Sequence, residues 1–159
     1  MENKNPKCSL VIRCYNEELH IGRMLAGAME QTVKDVEIIV VDSGSTDATL
    51  SIANRFPVKI IHIRSEEFSF GRALNIGCAA ANANIVVIAS AHVYPVRKDW
   101  LDCLLFPFKD QDVAIVYGKQ RGNEMSRFTE HQIFKKWFPD ESMYRQKHPF
   151  CNNANSLEG

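Results

Sequence analysis

An α/β fold, with a mostly parallel open sheet flanked by helices, is the class this sequence predicts, and three observations predict it. Short apolar runs of strand length recur along the chain, each followed by a segment with helical spacing, so that strand alternates with helix four times. Such an order builds parallel strands through right-handed crossovers. Residues 36–41 (VEIIVV) are apolar at five of six positions and mostly β-branched, as a strand buried on both faces requires. The polarity then switches at Asp42, which leaves a carboxylate at the carboxyl end of a strand.

At 159 residues the chain suits one domain and is short for an α/β enzyme with a separate substrate domain. Residues 7–157 are expected to form that domain, truncated at its C-terminus, after a polar tail over 1–6. Lysine plus arginine equals aspartate plus glutamate at 19 each, which gives no argument for a nucleic-acid partner, and none is expected. Five cysteines (Cys8, Cys14, Cys78, Cys103 and Cys151) form no CxxC pair and mostly sit in apolar runs, the usage of reduced core thiols in a cytosolic protein. The first residues lack an apolar signal core, and no stretch approaches the roughly 20 apolar residues of a membrane helix. A cytoplasmic location is expected, and peripheral attachment to the inner membrane face is compatible with it.

The elements follow in order. Residues 8–13 (CSLVIR) read as the first strand. Asn16 is placed to cap the following helix, Glu17 and Glu18 to favour its positive end, and Ile21, Met24, Leu25 and Ala28 to cover the sheet at i, i+3, i+4 and i+7. After the second strand, Ser43, Gly44 and Ser45 form a tight turn, and Thr46 and Asp47 suit the start of a helix over 46–55 that Pro57 stops. A third strand is expected over 58–63, then a loop with two aromatics over 64–70 and a small-residue helix over 71–83. Gly77 costs that helix about 1 kcal/mol against alanine, so close approach to the sheet is its natural reason. Residues 85–89 (IVVIA) are the cleanest buried strand and end in Ser90, Ala91 and His92. A helix over 98–106, a fifth strand over 112–118, an amphipathic helix over 126–138 and a strand or loop over 149–156 complete the reading.

No GxGxxG follows the first strand and no GxxxxGK[ST] occurs, so the common dinucleotide and P-loop phosphate cradles are absent. What remains are three strand ends on one sheet edge: Tyr15, Asn16 and Glu17; Asp42 to Ser45; and Ser90 to His92. Arg72, at the start of the third helix, is expected to point the same way. An aromatic face, a carboxylate, an arginine and an imidazole suit a nucleoside diphosphate. Each has a plainer reading. His92 can be a hydrogen-bonded structural residue, Tyr15 packing on the first helix, Glu17 an answer to the helix dipole, and Arg72 a solvated side chain. Gly44, Ser45 and Asp47 serve the turn and cap in any case. Asp42 is expected to meet a ligand rather than only cap backbone, and Phe68 and Phe70 to be satellite core rather than a sugar platform.

The stretch SLVIRCYNEELHIGRMLAGAMEQTVKDVEIIVVDSGSTDAT resembles the amino-terminal half of family 2 glycosyltransferases of the GT-A fold. Glu30, Gln31 and Thr32 match the family's helix exit, and Asp42, Gly44, Ser45, Thr46 and Asp47 match its diagnostic turn, with Ser43 in place of a second aspartate. GRALNIGCAAANANIVVIASAH resembles the family's next helix and strand through Arg72, Ala73, Asn75 and Gly77. The similarity spans residues 8 to about 106.

The resemblance implies inverting transfer of a sugar from a nucleotide-diphosphate donor, usually a UDP-sugar, to a hydroxyl of a glycan or lipid-linked acceptor, as in bacterial-type surface polysaccharide synthesis. It places Tyr15 beside the base, Glu17 near the ribose, Asp42 as acceptor from the uracil imide and Arg72 on the diphosphate. Asn16, Gly44 and Ser45 complete the donor-binding set. Ser90, Ala91 and His92 stand where the family carries an Asp-x-Asp metal motif, so a divalent cation, Mn or Mg, has His92 as its ligand and is held weakly, with manganese favoured. Without it, Arg72, Arg97 or Lys98 is expected to neutralise the diphosphate. Nothing before Gly159, Asp140 and Glu141 included, matches the family's general base. That base is expected beyond Gly159, which leaves this chain mainly the donor-binding half. The alternatives are a non-catalytic nucleotide-sugar-binding or assembly module and, less well matched because CYNEE is acidic, a nucleotidyltransferase.

Overall fold

A computed structural model of the chain describes residues 5–122 and 126–138. Two compact units divide at Phe106 and Pro107. The first holds four parallel strands, β1 (Cys8–Cys14), β2 (Val36–Asp42), β3 (Lys59–His62) and β4 (Val86–Ser90), in the order β3-β2-β1-β4. The crossover helices are α1 (Ile21–Met29), α2 (Thr49–Ala53) and α3 (Phe70–Ala79), and α4 (Trp100–Leu105) follows β4.

The alternation of side chains along β1 divides the core. Leu10 and Ile12 face α1 and α4 with Met24, Leu25 and Leu101, whereas Val11 faces α3 with Ile39, Val41 and Ala73. Helices therefore cover both faces, which is why β1 and β2 read as continuous apolar runs. On α1 the expected stripe of Ile21, Met24, Leu25 and Ala28 is buried, and each of the three large side chains contributes roughly 1.5–3 kcal/mol. Gly77 stands where a Cβ would lie 2.4 Å from Val11 Cγ1 and 3.0 Å from Val41 Cγ2, so close packing is indeed its reason.

Several boundaries differ from expectation. Asn16 does not cap α1: its φ is +51°, and His20 precedes the helix without a side-chain cap. Instead Asn16 Oδ1 accepts from Thr46 N (2.8 Å), and Glu18 accepts from Ala48 N (2.9 Å), because the turn after β2 lies within their reach. Helix α2 begins at Thr49 rather than Thr46, with Asp47 accepting from Thr49 N (2.9 Å). In α3 the cap is Ser69, whose hydroxyl accepts from Arg72 N (3.1 Å).

The second unit contains α5 (Phe128–Trp137), close to the amphipathic helix expected, with Glu130 accepting from Arg127 N at its start (2.8 Å). The fifth strand expected over 112–118 does not form. A strand needs a hydrogen-bonded neighbour, and this segment has no ladder partner among the described residues. The segment 149–156, Asp140, Glu141 and Cys151 lie outside the described residues. Among the described residues no helix is long and apolar enough to cross a membrane. Cys8 and Cys14 are buried free thiols as expected, but Cys103 is exposed on α4.

Candidate functional site

From β1 the chain moves outward through β2 to β3 and then returns to the other side of β1 as β4. The strand order thus reverses between β1 and β4, and ligands of open α/β sheets bind outside the carboxyl ends at such a point. A cleft of about 390 Å³ opens there. Tyr15 and Glu17 from the end of β1, Ser43 from the end of β2, and Ser90 and His92 from the end of β4 all line it.

Two of its edges hold each other. Asn16 N donates to Ser45 Oγ (2.9 Å), Glu17 N to Thr49 Oγ1 (2.7 Å) and Glu18 N to Asp47 Oδ2 (3.1 Å), while Asn16 accepts from Thr46. The loop after β1 and the turn after β2 are thereby stapled side chain to backbone, and Asn16 and Ser45 serve as staples outside the cleft lining. Desolvation opposes ionisation of Asp47, but the hydrogen bonds from Thr49 and Glu18 outweigh it and hold its carboxyl below the usual carboxylate range.

Asp42 lies under the turn, 1% exposed. Its carboxylate accepts from Gly44 N (3.1 Å) and Ser45 N (3.2 Å), and His62 Nδ1 stands 3.7 Å away. Gly44 adopts φ +88°, which a side chain would strain, so the residue types of DSGS follow from the turn itself. Cys14 Sγ is 3.7 Å from Asp42, and burial, reinforced by that carboxylate, pushes its thiol well above the usual range. Although it lines the cleft, Cys14 is a neutral thiol and not a nucleophile. The Ser43 hydroxyl is buried with no hydrogen-bond partner among the described residues, and Ser43 is one of the residues that line the cleft.

At the β4 end Ala91 is fully buried, and only its neighbours reach the cleft. His92 Nδ1 lies 2.8 Å from Glu17 Oε1 and 3.3 Å from Ser90 Oγ. Arg72 is not among the lining residues. Its guanidinium sits 3.7 Å from Glu67.

Five of the described lining residues were not singled out from sequence as binding groups: Arg13, Cys14, Ser65, Phe68 and Phe70. The two phenylalanines meet edge to face at 5.3 Å, and Phe70 is 65% exposed, so they wall the cleft rather than join a satellite core. Arg13 stacks over the Phe70 ring at 4.2 Å. Its signal was available as a lone cation in the apolar run CSLVIRC.

The profile described as Glycosyl transferase family 2 matches residues 9–156. The chain belongs to that family. Among curated relatives it is 28% identical over 116 residues to the O-antigen chain rhamnosyltransferase RfbN of Salmonella typhimurium, covering 72% of this chain and 37% of the relative. It is 31% identical over 117 residues to the O-antigen chain rhamnosyltransferase WbaN of Salmonella anatum, with the same coverage. The chain thus spans little more than a third of the length of these relatives. Among solved structures, the Pyrobaculum calidifontis mannosyltransferase PcManGT in complex with GDP-Man and Mn2+ superposes with a TM-score of 0.63 at 28% identity, over 70% of this chain and 34% of that one. Residues 1–349 of S. aureus TarS in complex with UDP-GlcNAc give 0.56 at 25% identity, over 67% and 32%. The GT-A architecture of this family member is therefore shared with glycosyltransferases.

The residues expected to seat a divalent cation fit one poorly. Ser90 offers a hydroxyl and His92 an imidazole whose Nδ1 is engaged by Glu17, and no three His, Cys, Asp or Glu side chains converge among the described residues. Hard cations take several oxygen ligands, preferably carboxylates, and this set does not supply them.

Helix exit residues Gln31 and Thr32 have a structural reason. Gln31, 2% exposed, donates to Gly27 O (3.0 Å) and Arg97 O (2.9 Å) and accepts from Leu101 N (3.0 Å). Thr32 Oγ1 donates to Lys98 O (3.0 Å) and bonds to Asp102. Together they clamp the segment between β4 and α4, which includes His92, onto α1. Gln31→Ala is expected to lower stability by about 1–3 kcal/mol, because buried partners lose their bonds. Thermal unfolding checks this, and limited proteolysis is expected to cut first within 93–99.

Proposed function

We propose that this chain binds the nucleotide of a sugar donor, a UDP-sugar first, for inverting transfer to a hydroxyl of a glycan or lipid-linked acceptor in surface polysaccharide synthesis at the cytoplasmic face of the membrane. The observation that carries the reading is the cleft at the β1/β4 reversal, with Tyr15 as an open aromatic face, 54% exposed, and the Asp42 turn beside it. The names of the Salmonella relatives, and the sugar nucleotides bound to the two structural neighbours, support the substrate class.

In this reading the base stacks on Tyr15 and meets the turn. A carboxylate has about four lone-pair sites, so the amides of Gly44 and Ser45 leave Asp42 capacity for an imide N–H, and the orphan Ser43 hydroxyl adds a second polar contact. Glu17 uses Oε1 on His92 and keeps Oε2 for the ribose. Arg72 reaches the diphosphate only by leaving Glu67. Since Ser90 and His92 make a poor seat for a divalent cation, nucleotide affinity is expected to depend weakly on manganese and less still on magnesium.

A second reading, a nucleotide-sugar-binding module without catalysis, is favoured by one observation. Among the described residues Glu17 is the single carboxylate lining the cleft, and His92 already engages it. An inverting enzyme needs a free base for the acceptor proton. Calorimetry with UDP and GDP tests the common part: UDP is expected to bind, and binding of neither nucleotide sinks the reading. Donor turnover by the binding-competent chain would then separate enzyme from module.

A further inference from the structure

We propose that Arg13 is the residue that holds the donor's diphosphate, its guanidinium taking the part that the metal-bound carboxylates take where other family members carry Asp-x-Asp. The inference rests on the donor-binding reading above.

Arg13 is the only charged residue of β1, half-buried on the face that Val11 shares. A guanidinium at the end of a buried strand is costly to desolvate unless an anion meets it. Yet among the described residues no carboxylate or carbonyl is paired with it. Its recorded contact is the Phe70 ring at 4.2 Å, and stacking fixes the plane of a guanidinium while leaving its N–H edge open. That edge belongs to the one lysine or arginine that lines the cleft among the described residues.

Position strengthens the assignment. In the sheet register Arg13 is the direct partner of Ser90, so the cation stands on the neighbouring strand beside the residue that occupies the first acidic position of the metal motif. A negative site that needs a metal has become a neutral hydroxyl with a protein cation beside it. The other basic candidates are engaged: Arg72 with Glu67 at 3.7 Å, Arg97 with Asp99, and Lys98 with Glu30 at 3.3 Å. Two parallel N–H groups match two phosphate oxygens, a geometry lysine cannot reproduce.

The test is calorimetry of the folded chain in EDTA with UDP and, separately, uridine. Wild type is expected to bind UDP without metal. Arg13→Gln is expected to weaken UDP about tenfold or more while changing uridine less than about twofold, since only the diphosphate loses a charge-assisted partner. Arg13→Lys is expected to recover part of the loss. Phe70→Leu leaves the strand untouched, removes the stack, and is expected to weaken UDP by about threefold. The proposal is overturned if UDP affinity is unchanged in Arg13→Gln, if it falls together with uridine affinity, or if EDTA abolishes UDP binding to wild type while uridine still binds. Should wild type bind neither uridine nor UDP under any metal condition, the donor-site reading itself fails, and this proposal with it.

Discussion

Asp42→Ala is expected to abolish measurable UDP binding and to lower the melting temperature. The carboxylate, 1% exposed, holds two backbone amides of the turn and stands at the junction of three strands: Cys14 and His62 are its register partners on β1 and β3. Deleting it takes the acceptor from the amides of Gly44, which is exposed, and Ser45, which is half-buried, so each lost hydrogen bond costs about 0.5–1.5 kcal/mol. The turn that presents Ser43 to the cleft then loses its shape. Asp42→Asn separates the two effects, because the amide oxygen keeps one acceptor and the negative charge is gone. Calorimetry on both variants, with circular dichroism as the control for folding, decides the matter. Unchanged UDP affinity in a folded Asp42→Ala would remove Asp42 from the donor site.

Gly77→Val is expected to have the largest effect on stability. A Cβ at this position meets Val11 Cγ1 at 2.4 Å and Val41 Cγ2 at 3.0 Å, and both valines are fully buried in the middle of the sheet. β-Branched side chains have few rotamers to retreat into, so α3 must move off the sheet. Overpacking of this kind costs about 1–3 kcal/mol, and valine adds two further methyl groups to the clash. Gly77→Ala is the sharper test. Helix propensity favours alanine by about 1 kcal/mol, so a net loss of stability shows that contact with the sheet outweighs it. Thermal unfolding that finds Gly77→Ala more stable than wild type would contradict close packing as the reason for the glycine. Because α3 begins with Phe70, a shifted helix is also expected to open the cleft wall and weaken nucleotide binding.

Much of the fold was legible because β1 and β2 are short apolar runs that end in abrupt polar switches, as parallel strands buried on both faces require, and α1 carries a clean stripe. The run over 85–89 reads as the cleanest buried strand, yet β4 is the edge strand of the sheet and Ile88 on it is 53% exposed, because burial depends on the neighbours and not on the run itself. The cleft lining was legible at Tyr15, Glu17, Ser90 and His92, where strand ends meet polar switches, whereas Asp42, expected to meet a ligand, lies buried outside that lining and caps the amides of Gly44 and Ser45. It was misread where a residue's role depends on a partner far along the chain. Asn16 looks like a cap for the helix that follows it and instead holds Thr46, thirty residues away in sequence. Arg72 looks like a phosphate ligand, but Glu67 takes its guanidinium. Phe68 and Phe70 have the composition of core and face the cleft. The segment 112–118 has the composition of a strand and lacks a neighbour to pair with among the described residues.

Apolar period and turn chemistry are properties of a few consecutive residues, so the chain order alone established the α/β class, the strand ends that matter and the DSGSTD corner. Pairing is not local. Which strand lies beside β1, and therefore that Arg13 stands next to Ser90 and that Glu17 meets His92, depends on how β4 crosses back over the sheet. The charge at the β4 end of the cleft is set by those contacts, and no stretch of the sequence read by itself contains them.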